Sequence, residues 1–218
     1  IFRIISFFDQ PVFNHFKIPI NYVLCPFPGI SHGQAIDLFI KNTISFVDHY
    51  LFFDNDQIPL RKDFVDIYYG KMYDKETLYG YANQSNHLSN LLGTSYNHPY
   101  IGAAGMGISK ELYLKLGCPS FDTDGKNSDT GERITYACEK LGYSVCMVWP
   151  SDVVGLTEEE CKEHNVALEH AKSRVGCFYF GMGTTYGNDF MFHAMCQGVT
   201  RSKTLFINKC REVLSKKI

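Results

Sequence analysis

Apolar residues fall along this chain in two alternating patterns: short continuous runs closed by turn residues, and stretches in which apolar side chains return every three or four positions. Ile1–Phe8 is an apolar, β-branched run bounded by Asp9-Gln10-Pro11, and Ile20–Cys25 is a second, stopped by Pro26-Phe27-Pro28-Gly29. Both read as buried strands. Between Ser31 and Phe46, the residues Ala35, Ile36, Phe39, Ile40 and Ile44 recur at helical spacing, with Ser31 placed to cap the helix. Tyr50–Phe53 predicts a third strand, running into Asp54-Asn55-Asp56.

The middle of the chain is less regular. Ile58–Asp66 reads as a loop entering a short helix, Lys75–Tyr81 as a strand, and Gln84–His98 as a polar loop with some helix. Ile101–Ser109 is rich in glycine and alanine and leads into a predicted helix, Lys110–Leu116; Pro119–Asn127 reads as loop. Thr130–Leu141 predicts a helix stopped by Gly142, followed by a strand at Tyr143–Val148. Thr157–Ala171 reads as a solvated helix, Gly181–Gly187 as a loop, and Lys203–Lys217 as a closing amphipathic helix. Strands alternating with helices imply an α/β fold with a mostly parallel central sheet flanked by helices on both faces. With no repeat, low-complexity tract or linker, one domain over 1–218 is expected: a first half at 1–100, a second at 101–200, and a basic helix at 201–218.

Composition narrows the class. A chain of 218 residues with 45% hydrophobic and 15% aromatic content can bury a full core. A formal net charge of -2 gives no global attraction to nucleic acid or anionic membrane. Eight cysteines contain no Cys-x-x-Cys pair, and several lie in apolar or helical contexts, as expected of reduced thiols in the cytoplasm. No apolar run reaches the roughly 18 residues of a membrane-spanning helix. The basic residues Arg201, Lys203, Lys209, Arg211, Lys216 and Lys217 surround the apolar face of the last helix, the pattern of a packed helix with a solvated basic face or, more sharply, of contact with an anionic surface, a membrane or DNA.

The strongest chemical signal is Tyr50-Leu51-Phe52-Phe53-Asp54-Asn55-Asp56. Two carboxylates one residue apart at a strand end reach the crevice where open α/β sheets bind ligands. Oxygen-seeking Mg²⁺ or Mn²⁺ can bridge such carboxylates to phosphate oxygens. The plainer reading is an acidic turn. Ser31 would present the backbone donors of His32, Gly33 and Gln34 at a helix start, suited either to an anion or to simple capping. Glycines in Gly102–Gly107 permit close approach of a ligand, or tight strand packing. Asp129 precedes a helix, where it can stay ionised as a base, or can cap the helix with Glu132 completing the box. His193, in Phe190-Met191-Phe192-His193-Ala194-Met195, reads from sequence as a core histidine. Asp122-Thr123-Asp124-Gly125 is no calcium loop, because the sixth and twelfth positions hold Asn127 and Arg133. Cys161 and His164 lack a second ligand pair for zinc.

Taken in order, these segments resemble the GT-A glycosyltransferases, particularly the broad family-2-like group, over most of the chain. Ser31-His32-Gly33-Gln34-Ala35 resembles the Gly-x-Ala helix start that precedes the Asp-x-Asp strand in that family. Gly102-Ala103-Ala104-Gly105-Met106-Gly107-Ile108-Ser109 is similar to its small-residue strand facing sugar and acceptor, and Asp129-Thr130-Gly131-Glu132-Arg133 to its catalytic-base segment. His193 resembles the late histidine that completes the metal site. The resemblance implies a metal-dependent transfer of sugar from a UDP- or GDP-sugar to an acceptor hydroxyl, with inversion. Asp54, Asp56 and His193 would hold Mn²⁺ or Mg²⁺. Phe8, Asp9, His32, Gly33, Asp54, Asn55 and Gly105 would face the donor, and Asp129 would be the base, with Glu132 its substitute. The acceptor is a glycan, a lipid carrier, a protein or a modified DNA base. Cys25-Pro26-Phe27-Pro28 stands where an acidic nucleotide contact is common, and Asp37 where many relatives carry Asn, which suggests a divergent branch of bacterial or viral origin. Three rivals use the same motifs: a retaining transferase, a nucleotidyltransferase, and a carbohydrate- or partner-binding module without turnover.

Overall fold

The computed structural model describes residues 2–6, 20–24, 29–85, 98–122, 128–163, 183–194 and 200–216. Within them the chain is a mixed α/β structure. Strands β1 (Phe2–Ser6) and β2 (Ile20–Leu24) pair in parallel. The largest sheet joins β3 (His49–Leu51), β5 (Thr77–Ser85), β6 (His98–Ile101), β7 (Gly107–Ser109) and β8 (Ser144–Val148), in the order β3-β7-β5-β6 with β8 also on β5. A third sheet runs β4-β11-β10-β9, from β4 (Gln57–Pro59), β9 (Pro150–Val154), β10 (Gly183–Tyr186) and β11 (Met191–Ala194).

Among the described residues, parallel pairing is confined to β1–β2 and β5–β8; the other pairings are antiparallel. The expected mostly parallel sheet is therefore corrected to a mixed one. The reason is local: β10 and β11 are joined by the tight turn Gly187–Phe190, which permits only a hairpin. Gly183–Tyr186, expected as loop, is its first strand, and β4 and β9 are further strands the apolar pattern did not announce.

Strand β5 is the wall between two apolar cores. Its period of two sends Leu78 to one side and Tyr79 and Tyr81 to the other. On the first side, helix α1 (His32–Thr43) contributes Ile36 and Ile40, packed with Tyr50, Ile101, Ile108, Leu112, Phe121, Ile134 and Cys138. These residues come from both halves of the chain and form one continuous core. Helices α3 (Lys110–Lys115) and α4 (Glu132–Leu141) close this side, and Gly142 ends α4 at φ 77°. On the second side, helix α2 (Phe64–Met72) inserts Phe64, Tyr68 and Met72 against Tyr79, Tyr81, Tyr186 and Phe190. The short helix α5 (Glu158–Glu163) begins the expected Thr157–Ala171 helix, whose remainder lies outside the described residues.

Helix α6 (Thr200–Ser215) covers the outer face of the third sheet through Leu205, Phe206, Cys210 and Val213 against Ile58, Phe192 and Ala194. Three of its basic residues make ion pairs within the molecule. Arg201 bonds Glu160, while Lys209 and Lys216 both bond Glu212 and draw that exposed carboxyl down to about 2. No described helix is long and apolar enough to cross a membrane. The described cysteines, 118, 138, 146, 161 and 210, are free.

Two glycines are explained by packing. A Cβ at Gly33 would lie 2.3 Å from the Phe121 carbonyl, because residues 120–122 lie across the start of α1. Asp37 fastens that loop by accepting from Phe121 N–H (2.8 Å) and from the Ser120 hydroxyl, and Asp122 accepts from Gln34 Nε2 (3.0 Å) and from the Ser31 hydroxyl. Gly105 has φ 77°, and a Cβ there would fall 2.0 Å from the Tyr81 ring. Gly105→Ala is expected to lower stability by about 3 kcal/mol, since backbone strain and overpacking add. Urea unfolding would show a lower midpoint at unchanged slope.

Candidate functional site

The Asp54–Asp56 segment is the joint between two sheets. Upstream, Leu51 ends β3, and Phe52 continues the ladder by exchanging backbone bonds with Gly105 and Met106 (both 2.9 Å). Downstream, Gln57 begins β4 in the third sheet. Between them the chain turns tightly. Gln57 N–H donates to the Asp54 carbonyl (3.3 Å), and the Gln57 side-chain carbonyl accepts from Asp54 N–H (3.2 Å). Asp56 is then drawn into the β11 ladder, where its carbonyl accepts from Ala194 N–H (2.9 Å).

That ladder explains the histidine. His193 stands opposite Gln57 in the β4–β11 register, so its Nε2 lies 3.2 Å from Asp56 Oδ1. One ligand atom each from Asp54, Asp56 and His193 lie within 4.8 Å of one another. Asp56 Oδ1 is buried and accepts no hydrogen bond. Leaving such an oxygen unsatisfied is costly, and two carboxylates with an imidazole are a donor set suited to a divalent cation. The residues therefore fit a metal.

Beside this cluster opens a cavity of about 190 Å³, small compared with the ~300–1,000 Å³ of sites for drug-sized ligands. His32, Asp54 and His193 line one part of it, and Asp129 and Thr130 another; Tyr81, Asn83, Gly102, Ala103, Ala104 and Tyr186 complete its wall. His32 Nε2 lies 3.5 Å from Asp54 Oδ1. Tyr81 and Tyr186 stack at 4.5 Å between ring centroids. Burial pushes both phenols above their ordinary range, so each presents a protonated hydroxyl rather than a phenolate.

Asp129 does not cap α4. The N-cap is Gly131, in the left-handed region at φ 94° and without a side-chain cap bond. Only glycine fits there without displacing its neighbours: a Cβ would meet Ala103 N at 2.8 Å and the Ile101 carbonyl at 2.9 Å. The Asp129 carboxylate is solvent-exposed at the cavity, accepting from Tyr100 Oη (2.5 Å) and from Thr130 N–H (2.7 Å). Glu132, the expected substitute base, is fully buried and accepts from Asp129 N–H. Its place is in the fold, supporting the turn that carries Asp129.

The sequence-predicted residues thus divide. Asp54, Asp56, His193, His32 and Asp129 converge. Gly33 and Gly105 serve packing against Phe121–Asp122 and Tyr81 and do not line the cavity, and Asn55 is an exposed turn residue outside its wall. Phe8 and Asp9 lie outside the described residues. Sequence reasoning missed Gln57, Tyr81, Asn83, Tyr100 and Tyr186. The alternation in Tyr79-Gly80-Tyr81-Ala82-Asn83 was the available signal for two of them.

Burial raises the Asp54 carboxyl above the ordinary carboxylate range and Asp56 adds to this, while His32 and His193 oppose it. The native state therefore holds this proton to higher pH than the unfolded chain does. Asp54's contribution to stability is full below the unfolded value near 3.8 and is lost as pH rises through the folded one. Metal-free Asp54→Asn is accordingly expected to have a higher urea midpoint than wild type at pH 7, with the gap closing below about pH 4. A lower midpoint at pH 7 would contradict this.

No family model matches the chain, and no curated protein or solved structure matches it.

Proposed function

We propose that this protein is a metal-dependent glycosyltransferase of GT-A type. The observation that carries the reading is the convergence of Asp54, Asp56 and His193 beside a cavity that also exposes Asp129. Asp54 and Asp56, joined through Gln57 to a rigid turn, would hold Mn²⁺ or Mg²⁺ with His193. A cation held there would supply positive charge to offset the negative charge on the diphosphate of a UDP- or GDP-sugar.

The chain's own residues do the rest. His32 lines the cavity with its Nε2 3.5 Å from Asp54 Oδ1, and would donate to a phosphate oxygen. The small side chains at 102–104 leave room for a sugar ring close to the backbone. Asp129 takes the proton from an acceptor hydroxyl, whose oxygen forms the new bond at the anomeric carbon as the bond to the diphosphate breaks. A single displacement of this kind inverts the anomeric configuration. The acceptor is a glycan, lipid, protein or base hydroxyl.

The test is a panel of UDP- and GDP-hexoses incubated with the protein and Mn²⁺. Nucleoside diphosphate release and sugar transfer are followed, with calorimetry of the same nucleotides with and without metal. Metal-dependent binding with diphosphate release supports the transferase. Metal-dependent binding without turnover on any acceptor class favours the binding module, and no nucleotide binding at all sinks the reading.

A further inference from the structure

We propose that Tyr100 is a positioning residue for Asp129, and that Asn83, Tyr100 and Asp129 form one hydrogen-bonded line fixing the carboxylate at the cavity. The inference rests on the reading of Asp129 as the base. Asn83 and Tyr100 are directly opposed in the β5–β6 ladder. Asn83 Nδ2 donates to Tyr100 Oη (3.2 Å), and Tyr100 Oη donates to Asp129 Oδ2 (2.5 Å). The two ends of the line, Asn83 and Asp129, both line the cavity, whereas Tyr100 is 1% exposed.

Three features give the line a fixed direction. Asn83 supplies a donor to the phenol oxygen, so the phenol's single hydrogen is left for Asp129. Burial and the neighbouring carboxylate hold the Tyr100 phenol well above its ordinary range, so that hydrogen stays in place. The segment that follows Tyr100 is tied to the one that follows Asp129: Ala103 N–H donates to the Thr130 carbonyl (3.2 Å), and Ile101 N–H to Thr135 Oγ1 (3.0 Å). With Oδ2 taken by Tyr100 and Oδ1 by Thr130 N–H, the carboxylate plane cannot rotate freely, and its remaining lone pairs have a set orientation. Orientation of a base toward the proton it removes is worth large factors in rate.

The experiment compares wild type, Tyr100→Phe, Asp129→Asn and the double variant, using UDP- and GDP-hexoses with Mn²⁺ and reading nucleoside diphosphate release. Tyr100→Phe is expected to lower kcat by roughly tenfold to a hundredfold, with unchanged nucleotide-sugar Kd. It is expected to have no further effect once Asp129 is Asn. Fluorinated tyrosines at position 100, which keep the buried ring, should shift kcat in step with phenol acidity, a response that a packing role would not give. An unchanged kcat in Tyr100→Phe beside an inactive Asp129→Asn overturns the positioning role and leaves the base standing. Equal losses with and without the Asp129 carboxylate, a weakened Kd, or indifference to fluorination also overturn it. Asp129→Asn at the wild-type rate removes the base reading and this inference with it.

Discussion

Asp129→Asn is expected to cut sugar transfer by at least about a hundredfold while leaving Mn²⁺-dependent nucleotide binding at its wild-type Kd. The amide is nearly isosteric, and its one carbonyl oxygen can still accept from either Tyr100 or Thr130 N–H, while the backbone bond from Glu132 N–H to the Asp129 carbonyl (3.1 Å) is untouched, so the turn that carries it should persist. What it cannot do is take up the acceptor's proton. The group is exposed and does not cap α4, so the cost to the fold is confined to the one hydrogen bond that the amide cannot accept. Initial rates of diphosphate release, beside calorimetry of the UDP or GDP donor, separate the two effects. A fall in donor affinity comparable to the fall in rate would move Asp129 to the donor side of the cavity and reopen the retaining mechanism.

Asp56→Ala is expected to weaken Mn²⁺ binding by at least about a hundredfold and to abolish the metal-dependent part of nucleotide binding. Asp56 is tied to the β11 ladder through its carbonyl, and its buried Oδ1 lies 3.2 Å from His193 Nε2, at the centre of the candidate cluster. The metal-free protein should tolerate the change well, because an oxygen without a hydrogen bond contributes little to the apo fold. Thermal unfolding with and without Mn²⁺ reads both at once: wild type gains stability with metal, and Asp56→Ala does not. A variant that still gains the wild-type shift would place the ion elsewhere.

What could be read in the sequence was what is decided locally. Ser31 and Gln34 form the expected capping box, Gly142 ends α4, and the apolar run before Asp54 is a strand, each because neighbours in sequence supply the interaction. The two aspartates were legible for the same reason. His193 was not legible from its surroundings, which are apolar. Its place beside Asp56 depends on the β4–β11 register, a pairing between distant segments, and only the family resemblance pointed to it. The antiparallel third sheet was hidden by composition: Gly183-Thr184-Thr185-Tyr186 looks like a loop, and Gln57-Ile58-Pro59 contains a proline, tolerated because β4 is an edge strand. At Gly105 the sequence left ligand approach and tight packing open, because a missing side chain looks the same in either case; the Tyr81 ring fills that space. At Asp129 the capping pattern was present in the letters, but the N-cap falls two positions later at Gly131, close against residues 101–103, and the carboxylate is free of the cap.

The interior position of β11 has a consequence for how the protein comes into being. It is bonded to β4 on one side and β10 on the other, so His193 reaches Asp56 only after the long stretch between β4 and β11 has been synthesised. A nascent chain ending before β11 would carry both aspartates yet lack the third ligand. Tight metal capture would then begin only with late, long-range closure of the third sheet. Added Mn²⁺ should consequently slow unfolding more than it speeds refolding, making the ion a latch on the finished molecule rather than a nucleus for its assembly.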